Sequence, residues 1–429
     1  MSRENPSIGS ARESAEGTAA KQPPQRGLRT ATPASVRDVN KSILLNLIRV
    51  HQPISRAALS RHTGIFRSNV SRIVDELIQD GVVTERPGKP GGRGRLPVHL
   101  ELRNECYQVL GVFIQPLQTR IAFAGLSGII QKTWTLPTPQ TPAEFVKQLE
   151  RALQTIRQDK LVASRPAIQR VGIAVPGLIH YDSGRILWAP ALEKYSGFPL
   201  AEELAKRIGI PVSADNDCNL GALSELWLSQ AVERQPLNDF VFLSIGDLGV
   251  GGGIVADGKL YRGHDSGFVA EFGHMIVDPN GRKCGCGRSG CWELYISNKA
   301  TWQLYKPRRH FEAGCFSDLL ANAEQGDPRA IAALETTARH IALGASNIVF
   351  ALNPSLIVLA GQITGVWPLI HKTIASAFWS PRIKTVVRPA RLAAEDSLLH
   401  GAVWLALSGA YRIPQFGPSA AAAGAPATP

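Results

Sequence analysis

Residues 271–293 have the sequence EFGHMIVDPNGRKCGCGRSGCWE, which places four potential metal ligands in one short segment. They are His274, Cys284, Cys286 and Cys291. Zinc favours three thiolates with one imidazole, and a site with four protein ligands is structural because no coordination position remains for water. The spacing therefore predicts one tetrahedral zinc site that fixes this loop. The alternative is a glycine-rich surface loop that merely contains three cysteines.

Two carboxylates flank the metal segment, Glu271 before the histidine and Glu293 after the last cysteine. Other polar residues follow predicted strands: Gly177 ends RVGIAVPG, and Asn216 and Asp217 follow VSAD. Carboxylates and amides form hydrogen bonds with adjacent hydroxyl groups, so this set is typical of a site for a small polyol or sugar. For Asn216 and Asp217, a turn or a helix cap is the alternative.

The distribution of cysteines and apolar residues indicates the compartment. The chain has six cysteines in 429 residues, and Cys106, Cys218 and Cys315 lie singly, outside the metal segment. This pattern differs from the disulfide framework of a small secreted domain. Residues 1–34 lack the apolar core of a secretory signal, and no apolar run approaches membrane-spanning length. We therefore expect a soluble, cytoplasmic protein with no membrane partner.

Positive charge is concentrated at the N-terminal end of the chain. The formal net charge is +12, and residues 1–100 contribute 16 Lys and Arg against 8 Asp and Glu. Basic side chains that neutralise phosphates gain free energy from the release of counterions. The asymmetry therefore indicates a polyanionic partner. A basic face exposed only to solvent is the alternative.

Residues 35–103 have the pattern of a winged helix-turn-helix: two apolar-periodic helices separated by a short helix, then a hairpin. Ser55 can cap the short helix and Gly64 can end it. In this fold the third helix enters the major groove, where Arg and Asn contact base edges. The predicted DNA contacts are Arg67, Ser68, Asn69, Ser71 and Arg72 on the third helix, and Arg93 and Arg95 at the wing tip. A helical protein-interaction module is the alternative.

From Tyr107 onward, strand-like runs alternate with helical runs. This pattern predicts α/β architecture with open sheets, whose ligands bind at the carboxyl ends of strands. Residues 1–34 and 413–429 are rich in small and polar residues and are predicted to be a disordered arm and tail. The glycine cluster at 246–253 either presents backbone N–H groups to a phosphate or forms a hairpin bend.

The second half of the chain, about residues 107–411, resembles the ROK family of sugar kinases and sugar-responsive repressors. The E-x-G-H and C-G-C-G-x-x-G-C-x-E pattern within 271–293 carries the resemblance. It implies a two-lobed actin-like, ribonuclease-H-like ATPase-type domain with a bound zinc ion. The expected lobes are 104–218 plus 392–412, and 219–391 with the zinc loop. The resemblance also implies that Asn216, Asp217, Glu271, His274 and Glu293 face a sugar, so His274 would serve both sites.

The chain departs from the kinase members of that family at their D-x-G-x-T motif. The matching residues are Phe113, Ile114, Gln115, Pro116 and Leu117, which offer neither the acid that manages magnesium nor the glycines that approach ATP phosphates. Asp217, the position of the general base in the kinases, is retained. Ala191 stands where family members commonly have an asparagine near the sugar. We therefore expect sugar binding without catalysis.

These features together predict a sequence-specific transcriptional regulator, a repressor of carbohydrate-metabolism genes that a sugar or sugar derivative controls. We expect a homodimer or a dimer of dimers on a palindromic operator, because a two-fold dimer presents two recognition helices. One alternative is an ATP-dependent hexose kinase with an accessory DNA-binding head. Another is a sugar-insensitive scaffold that binds a second protein.

Overall fold

The computed structural model describes residues 33–87, 98–233, 237–247, 249–263, 268–306, 308–312, 314–376 and 382–411. The predicted C-terminal tail, most of the predicted N-terminal arm and the wing tip with Arg93 and Arg95 lie outside these residues. No helix within the described ranges combines the length and the apolar character needed to cross a membrane.

The N-terminal unit contains the helices and hairpin that the sequence predicts. Its elements are α1 (Pro33–His51), α2 (Arg56–Thr63), α3 (Arg67–Gln79), β1 (Val83–Pro87) and β2 (Val98–Leu102). The two strands pair antiparallel, with Val83 opposite Leu102. One boundary differs from the prediction: α1 includes Pro33 and Ala34, which we had placed in the disordered arm. Proline suits the first turn of a helix because its missing N–H has no partner there and its φ is already helical.

Local sequence explains where these helices begin and end. The Ser55 hydroxyl accepts a hydrogen bond from the N–H of Ala58 and caps α2, and Gly64 ends α2 at φ +71°. After α3, Gly81 also has positive φ, and the N–H of Val82 donates to the carbonyl of Leu77. These are the left-handed endings that glycine permits. The helices pack around a fully buried apolar core, which includes Leu44, Ile48, Leu59, Val70, Ile73, Val74 and Leu77.

The first lobe is built on a five-stranded sheet of order β5-β4-β3-β6-β9. The strands are β3 (Gln108–Ile114), β4 (Gln118–Ala124), β5 (Ile130–Pro137), β6 (Ile168–Val175) and β9 (Val212–Asn216). A two-stranded sheet, β7 (Leu178–His180) and β8 (Arg185–Trp188), accompanies it, with helices α4 (Pro142–Gln158), α5 (Lys160–Ala163) and α6 (Leu200–Ile208). Strands β3, β6 and β9 are parallel, so their carboxyl ends share one edge.

The second lobe repeats this plan with a sheet of order β12-β11-β10-β13-β14. Its strands are β10 (Phe240–Ile245), β11 (Val250–Ala256), β12 (Lys259–Tyr261), β13 (Leu356–Ala360) and β14 (Val386–Pro389). Its later helices are α8 (Glu293–Ile296), α9 (Asn298–Tyr305), α10 (Cys315–Glu324), α11 (Pro328–Leu352) and α12 (Trp367–Ala375). Short 3₁₀ helices occur at Asn104–Cys106, Pro190–Tyr195, Phe272–His274 and Gln362–Val366. The mixed α/β fold class predicted from the alternating pattern is confirmed.

Helices α7 (Asp217–Glu233) and α13 (Ala394–Leu407) join the two lobes. Helix α7 packs on β10 and β11, helix α13 packs on β3 and β6, and the two helices pack on each other. Gly401 permits their close crossing, because a Cβ there would collide with the carbonyl of Leu220. A relative displacement of the two sheets would therefore alter the contact between α7 and α13.

Candidate functional site

The structure brings the four predicted metal ligands together. One ligand atom from each of His274, Cys284, Cys286 and Cys291 lies within 4.8 Å of every other. The Sγ atoms of Cys286 and Cys291 are 3.5 Å apart, and Cys284 Sγ is 3.8 Å from His274 Nδ1. In tetrahedral zinc sites with Zn–S bonds of about 2.3 Å, neighbouring sulfurs are separated by about 3.8 Å. The donor set and its spacing therefore fit a metal ion of this kind.

The backbone of the loop holds the ligands in place. The N–H of Cys284 donates to the carbonyl of Arg288 at 2.8 Å, and the N–H of Val277 donates to the carbonyl of Gly290 at 2.9 Å. The fully buried Trp292 follows the last cysteine, and its Nε1–H donates to the carbonyl of His340 on α11 at 2.7 Å. The segment that carries the ligands is thus packed against the core of the second lobe and is not a free surface loop.

The cysteines are free thiols, and their surroundings favour metal binding at Cys286. All six cysteines of the chain are free thiols. Backbone hydrogen bonding at Arg288 lowers the pKa of Cys286 to about 6, whereas burial raises the pKa of Cys284. Thiolates are the metal-binding form of cysteine. Among these thiols, the thiolate form is therefore most favoured at Cys286.

The two carboxylates that flank the loop lie against the ligand cluster. Glu293 Oε1 is 3.0 Å from Cys284 Sγ and 3.5 Å from His274 Nδ1. Burial raises the pKa of Glu271, the imidazole of His274 opposes this rise, and the carboxylate of Glu293 adds to it. Glu293 therefore contacts two of the potential metal ligands directly, and Glu271 lies close enough for their charges to influence it.

Asn216 caps a helix, which was one of the two interpretations of the Asn-Asp pair. Its side-chain oxygen accepts from the N–H of Asn219 at 3.0 Å, and its Nδ2–H donates to the carbonyl of Gly177 at 3.0 Å. A Cβ on Gly177 would collide with the carbonyl of Trp188. Gly177 and Asn216 therefore belong to one tight junction at the carboxyl ends of β6 and β9.

Asp217 is the first residue of α7 and stands beside the acids of the metal segment. Its carboxylate accepts from the N–H of Cys218 at 2.8 Å. Burial raises the pKa of Asp217 to about 6, despite this hydrogen bond, and the carboxylate of Glu271 adds to the rise. All six predicted sugar-site residues thus fall in one connected region between the lobes: Gly177, Asn216, Asp217, Glu271, His274 and Glu293.

A buried ion pair below this region was not predicted from the sequence. Asp215 is only 2% exposed, and its Oδ2 accepts from Arg262 at 2.8 and 3.1 Å. The guanidinium of Arg262 also lies over the ring of Tyr181, 3.6 Å from the centroid. Arg262 follows β12 of the second lobe, whereas Asp215 and Tyr181 belong to the first. The arginine therefore bridges the lobes next to Asn216, and no local sequence pattern links the partners.

The glycine cluster forms a hairpin bend. The N–H of Gly246 donates to the carbonyl of Gly249 at 3.0 Å just after β10, and residues 251–253 lie within β11 opposite 242–244. A Cβ at Gly251 would collide with Cys218 Sγ on α7. Close packing of strand against helix therefore explains the glycines of β11, and the hairpin interpretation of this cluster is the one that the structure supports.

Helix α3 presents the predicted DNA contacts on one surface. Arg67, Ser68, Asn69 and Arg72 are exposed and Ser71 is half-buried, while the opposite face of the helix is core. Phe66, which directly precedes the helix, is 80% exposed and was not among the predicted DNA contacts. These exposed basic and amide groups lie in the N-terminal part of the helix, the part that a helix-turn-helix fold directs at base edges.

Ion pairs within the N-terminal unit separate charge along α3. Acidic residues lie toward and just after the C-terminal end of α3, where Asp75 pairs with Arg56 at 2.7 Å, Glu76 with Arg37, and the capping residue Asp80 with Lys41 at 2.6 Å. Within the described residues, Arg67 and Arg72 take part in no ion pair. Their positive charge therefore stays available on the outer surface, as a polyanionic partner would need.

The turn between β3 and β4 contains the residues that the sequence analysis matched with the D-x-G-x-T motif of the kinases. Phe113 is buried in β3, and Leu117 is 84% exposed in the turn. The N–H of Gln115 donates to the carbonyl of Gln118 at 2.9 Å, and its side chain donates to Glu395 on α13 at 3.2 Å. The turn is closed by its own hydrogen bonds and carries an apolar tip.

Comparison with known proteins identifies both parts of the chain. The profile of the ROK family matches residues 114–408, and that of the MarR family matches residues 38–94. The xylose repressor of Bacillus spizizenii strain W23 is 30% identical over 341 residues, which cover 80% of this chain and 86% of that protein.

Two solved structures show how far the architecture agrees. A ROK family transcriptional regulator, described as a homolog of the Escherichia coli MLC protein, superposes with a TM-score of 0.71 at 23% identity and covers 87% of this chain and 100% of its own. A ROK family glucokinase from Streptomyces griseus, in complex with glucose and AMPPNP, has a TM-score of 0.58 at 27% identity and covers 70% of this chain and 99% of its own. The larger overlap is with the regulator, and it establishes the two-part fold.

Proposed function

The chain belongs to the ROK family, and on that premise we propose that it is a DNA-binding transcriptional repressor of carbohydrate-metabolism genes, controlled by a sugar. The observation that carries the proposal is the combination, in one chain, of an exposed basic recognition helix and an acid-lined site between two lobes. Similarity to a xylose repressor over most of both chains supports it. Reducing conditions in the cytoplasm would keep the free thiols available for metal.

In this proposal zinc is the resident metal and its role is structural. His274, Cys284, Cys286 and Cys291 would hold it, because this donor set matches the preference of zinc and leaves no position for a substrate. Bound zinc would supply no chemistry beyond fixing the loop. The residues of the chain would then do the recognition, with Glu271 and Glu293 held beside the cluster at defined positions.

The sugar would bind between the lobes, against Asp217, Glu271, Glu293 and the junction of Gly177 with Asn216. Carboxylates accept hydrogen bonds from sugar hydroxyls, and an acceptor that is left unpaired penalises an analogue lacking that hydroxyl. Ala191 provides no amide at its position. The similarity to a xylose repressor suggests a pentose, and the similarity to a glucokinase suggests a hexose, so both classes of sugar belong in a binding panel.

The DNA site would consist of α3 and the wing. Arg67 and Asn69 would contact base edges, Ser68, Ser71 and Arg72 would position the helix, and Arg93 and Arg95 would contact phosphates or the minor groove. We propose that the protein binds as a homodimer, or a dimer of dimers, to a palindromic operator. A two-fold dimer presents one recognition helix to each of two symmetry-related half-sites.

The second candidate function is a hexose kinase with a DNA-binding head. The residues of the turn between β3 and β4 argue against kinase activity. Phosphoryl transfer depends on a metal-bound acid and on close backbone approach to the phosphates. Phe113 and Leu117 supply neither, and Gln115 is engaged by Glu395. A coupled assay that showed sugar-dependent release of ADP would favour the kinase instead.

Sugar affinity should fall in mild acid because of Asp217. Its pKa is raised to about 6, so most Asp217 side chains are ionised at pH 7 and most are protonated at pH 5. A ligand that requires the ionised form then binds about tenfold more weakly at pH 5 than at pH 7. Calorimetric titrations at both pH values measure this, with Asp217→Asn expected to bind weakly and with little pH dependence. Equal sugar affinity of the wild-type protein at pH 5 and pH 7 would show that the sugar does not depend on ionised Asp217.

The proposed function is tested first by selection of DNA from a random library with the purified, metal-loaded protein. We expect enrichment of one palindromic sequence whose half-sites are about one helical turn or a multiple apart. Calorimetry with D-xylose, D-glucose and related pentoses, hexoses and 2-acetamido sugars follows. Enrichment without any sugar binding would favour the sugar-insensitive scaffold, and failure to enrich any sequence would contradict the regulator.

A further inference from the structure

A buried arginine joins the N-terminal unit to both lobes. Arg49 lies in the last turn of α1 and is 5% exposed. Its Nη2–H donates to Gln230 Oε1 at 2.7 Å, and its Nε–H donates to Asn46 Oδ1 at 3.3 Å. Burial lowers the pKa of Arg49 to about 10, and the hydroxyl of Tyr411 opposes this shift only in part. A buried charge of this kind is costly unless its surroundings compensate.

Three aromatic rings provide the compensation. The guanidinium carbon of Arg49 is 4.1 Å from the ring centroid of Trp227, 5.4 Å from that of Trp404 and 5.7 Å from that of Tyr411. Trp227 and Trp404 stack at 4.3 Å, and the Tyr411 hydroxyl donates to the carbonyl of Leu126 at 2.7 Å. Planar guanidinium groups interact favourably with aromatic faces. We call these three rings with Gln230 the Arg49 socket.

The socket is made by both lobes. Trp227 and Gln230 lie on α7, which packs on the sheet of the second lobe, and Trp404 lies on α13, which packs on the sheet of the first. Glu225 of α7 is fully buried and pairs with Arg388 and Arg391 of the second lobe at 2.9 Å each. A change in the relation of the lobes therefore changes the relation of Trp227 to Trp404.

The same helix carries the sugar site. Asp217 is the first residue of α7, and Gln230 lies 13 residues later, which is about 20 Å along a helix that rises about 1.5 Å per residue. Helix shifts of about 1–2 Å are common in allosteric transitions. Such a shift of α7 would break the hydrogen bond between Arg49 and Gln230 or alter the stacking of the rings.

We propose that Arg49 is the positioning residue that transmits the state of the sugar site to the DNA-binding unit, through α7 and the socket. This inference rests on the proposed function. A sugar that draws the lobes together would move α7 relative to α13 and thereby change the shape of the Arg49 socket. Helix α1, with the recognition helix α3 packed on it, would then be held in a different orientation. The ligand acts only through its unequal affinity for the two arrangements.

The test compares the sugar response, defined as the ratio of operator dissociation constants with and without sugar. The probe is the selected operator with D-xylose, or with the tightest binder of the panel if that is another sugar. We expect a wild-type ratio of about tenfold or more, and a ratio of about one in Arg49→Gln, with calorimetric sugar affinity unchanged. Arg49→Lys should restore part of the response, because it keeps the charge without the planar group.

Two further variants guard against trivial outcomes. Gln230→Ala removes one partner of Arg49 and should also lower the ratio, which keeps the test valid if Arg49→Gln does not fold. Arg37→Gln is the matched control, since Arg37 lies on the same helix but pairs with Glu76 inside the N-terminal unit. It should keep the wild-type ratio. Full sugar responses in both Arg49→Gln and Gln230→Ala would overturn the inference.

The joint can also be tested without sugar. Arg49→Gln should accelerate hydrogen exchange in the second half of α7 and around Trp404 and Tyr411, and leave α2 and α3 unchanged. Unaltered exchange in α7 would contradict the coupling role. If no sugar changes the operator affinity of the wild-type protein, the proposed function fails, and the exchange measurement still decides whether the socket joins the units.

Discussion

Replacing Cys286 by serine is expected to remove the proposed zinc ion and to abolish the proposed sugar binding. A structural zinc ion contributes about 10–16 kcal/mol of apparent free energy in small zinc domains, comparable with the entire stability of an ordinary domain, about 5–15 kcal/mol. Without it, the loop of residues 271–293 would lose its anchor, and Glu271 and Glu293 would no longer be oriented. Zinc analysis of the purified variant and calorimetry with the sugar of the wild-type protein measure both effects.

Cys315→Ser is the matched control for this change. Cys315 is a half-exposed free thiol at the start of α10, outside the ligand cluster, and its substitution should leave zinc content and sugar affinity unchanged. Wild-type sugar affinity in a Cys286→Ser protein that has lost its zinc would show that the metal does not organise the sugar site. Absence of zinc from the freshly purified wild-type protein would refute the metal assignment itself.

The second large effect is expected at Asn69. Asn69→Ala should weaken binding to the selected operator by about 10- to 100-fold, because a good amide contact with a base edge contributes about 1–3 kcal/mol of discrimination. Binding to nonspecific DNA should change little, since phosphate contacts dominate it. Arg67→Ala should behave in the same direction, with some loss on all sequences because its charge also attracts phosphates.

Gln79→Ala serves as the control for the recognition helix. Gln79 is exposed at the opposite end of α3, away from the residues that would face DNA, and its removal should leave both affinities unchanged. Anisotropy titrations with the selected operator and a scrambled duplex separate the two classes of binding. An equal loss on both duplexes in Asn69→Ala would mean that this residue does not read sequence.

Features encoded by neighbouring residues were predictable from the sequence. The metal cluster lies within one segment, so its spacing alone indicated a common site, and the structure brings the four ligand atoms within 4.8 Å of one another. The cap at Ser55, the left-handed end at Gly64 and the hairpin of β1 with β2 follow from local rules as well. The start of α1 at Pro33 was not predicted, because this proline, which suits the first turn of a helix, follows a polar segment typical of disorder.

Features that depend on distant partners were not predictable in this way. Asp215 and Arg262 are 47 positions apart, and Arg49 is 181 positions from Gln230. A single sequence contains no periodicity that pairs such residues, because only the packing of the lobes and of the N-terminal unit brings them together. Asn216 illustrates the intermediate case: its position at the end of a strand indicated a polar junction, but only the hydrogen bond to Asn219 shows that it caps α7.

The central claim is that one chain reads DNA and that a sugar changes how it does so. The most direct measurement is an anisotropy titration of the selected operator with the metal-loaded protein, with and without a saturating amount of a sugar that calorimetry has shown to bind. The account predicts that the operator dissociation constant changes by about tenfold or more, while affinity for scrambled DNA stays the same. An unchanged operator dissociation constant with every sugar that binds would contradict it.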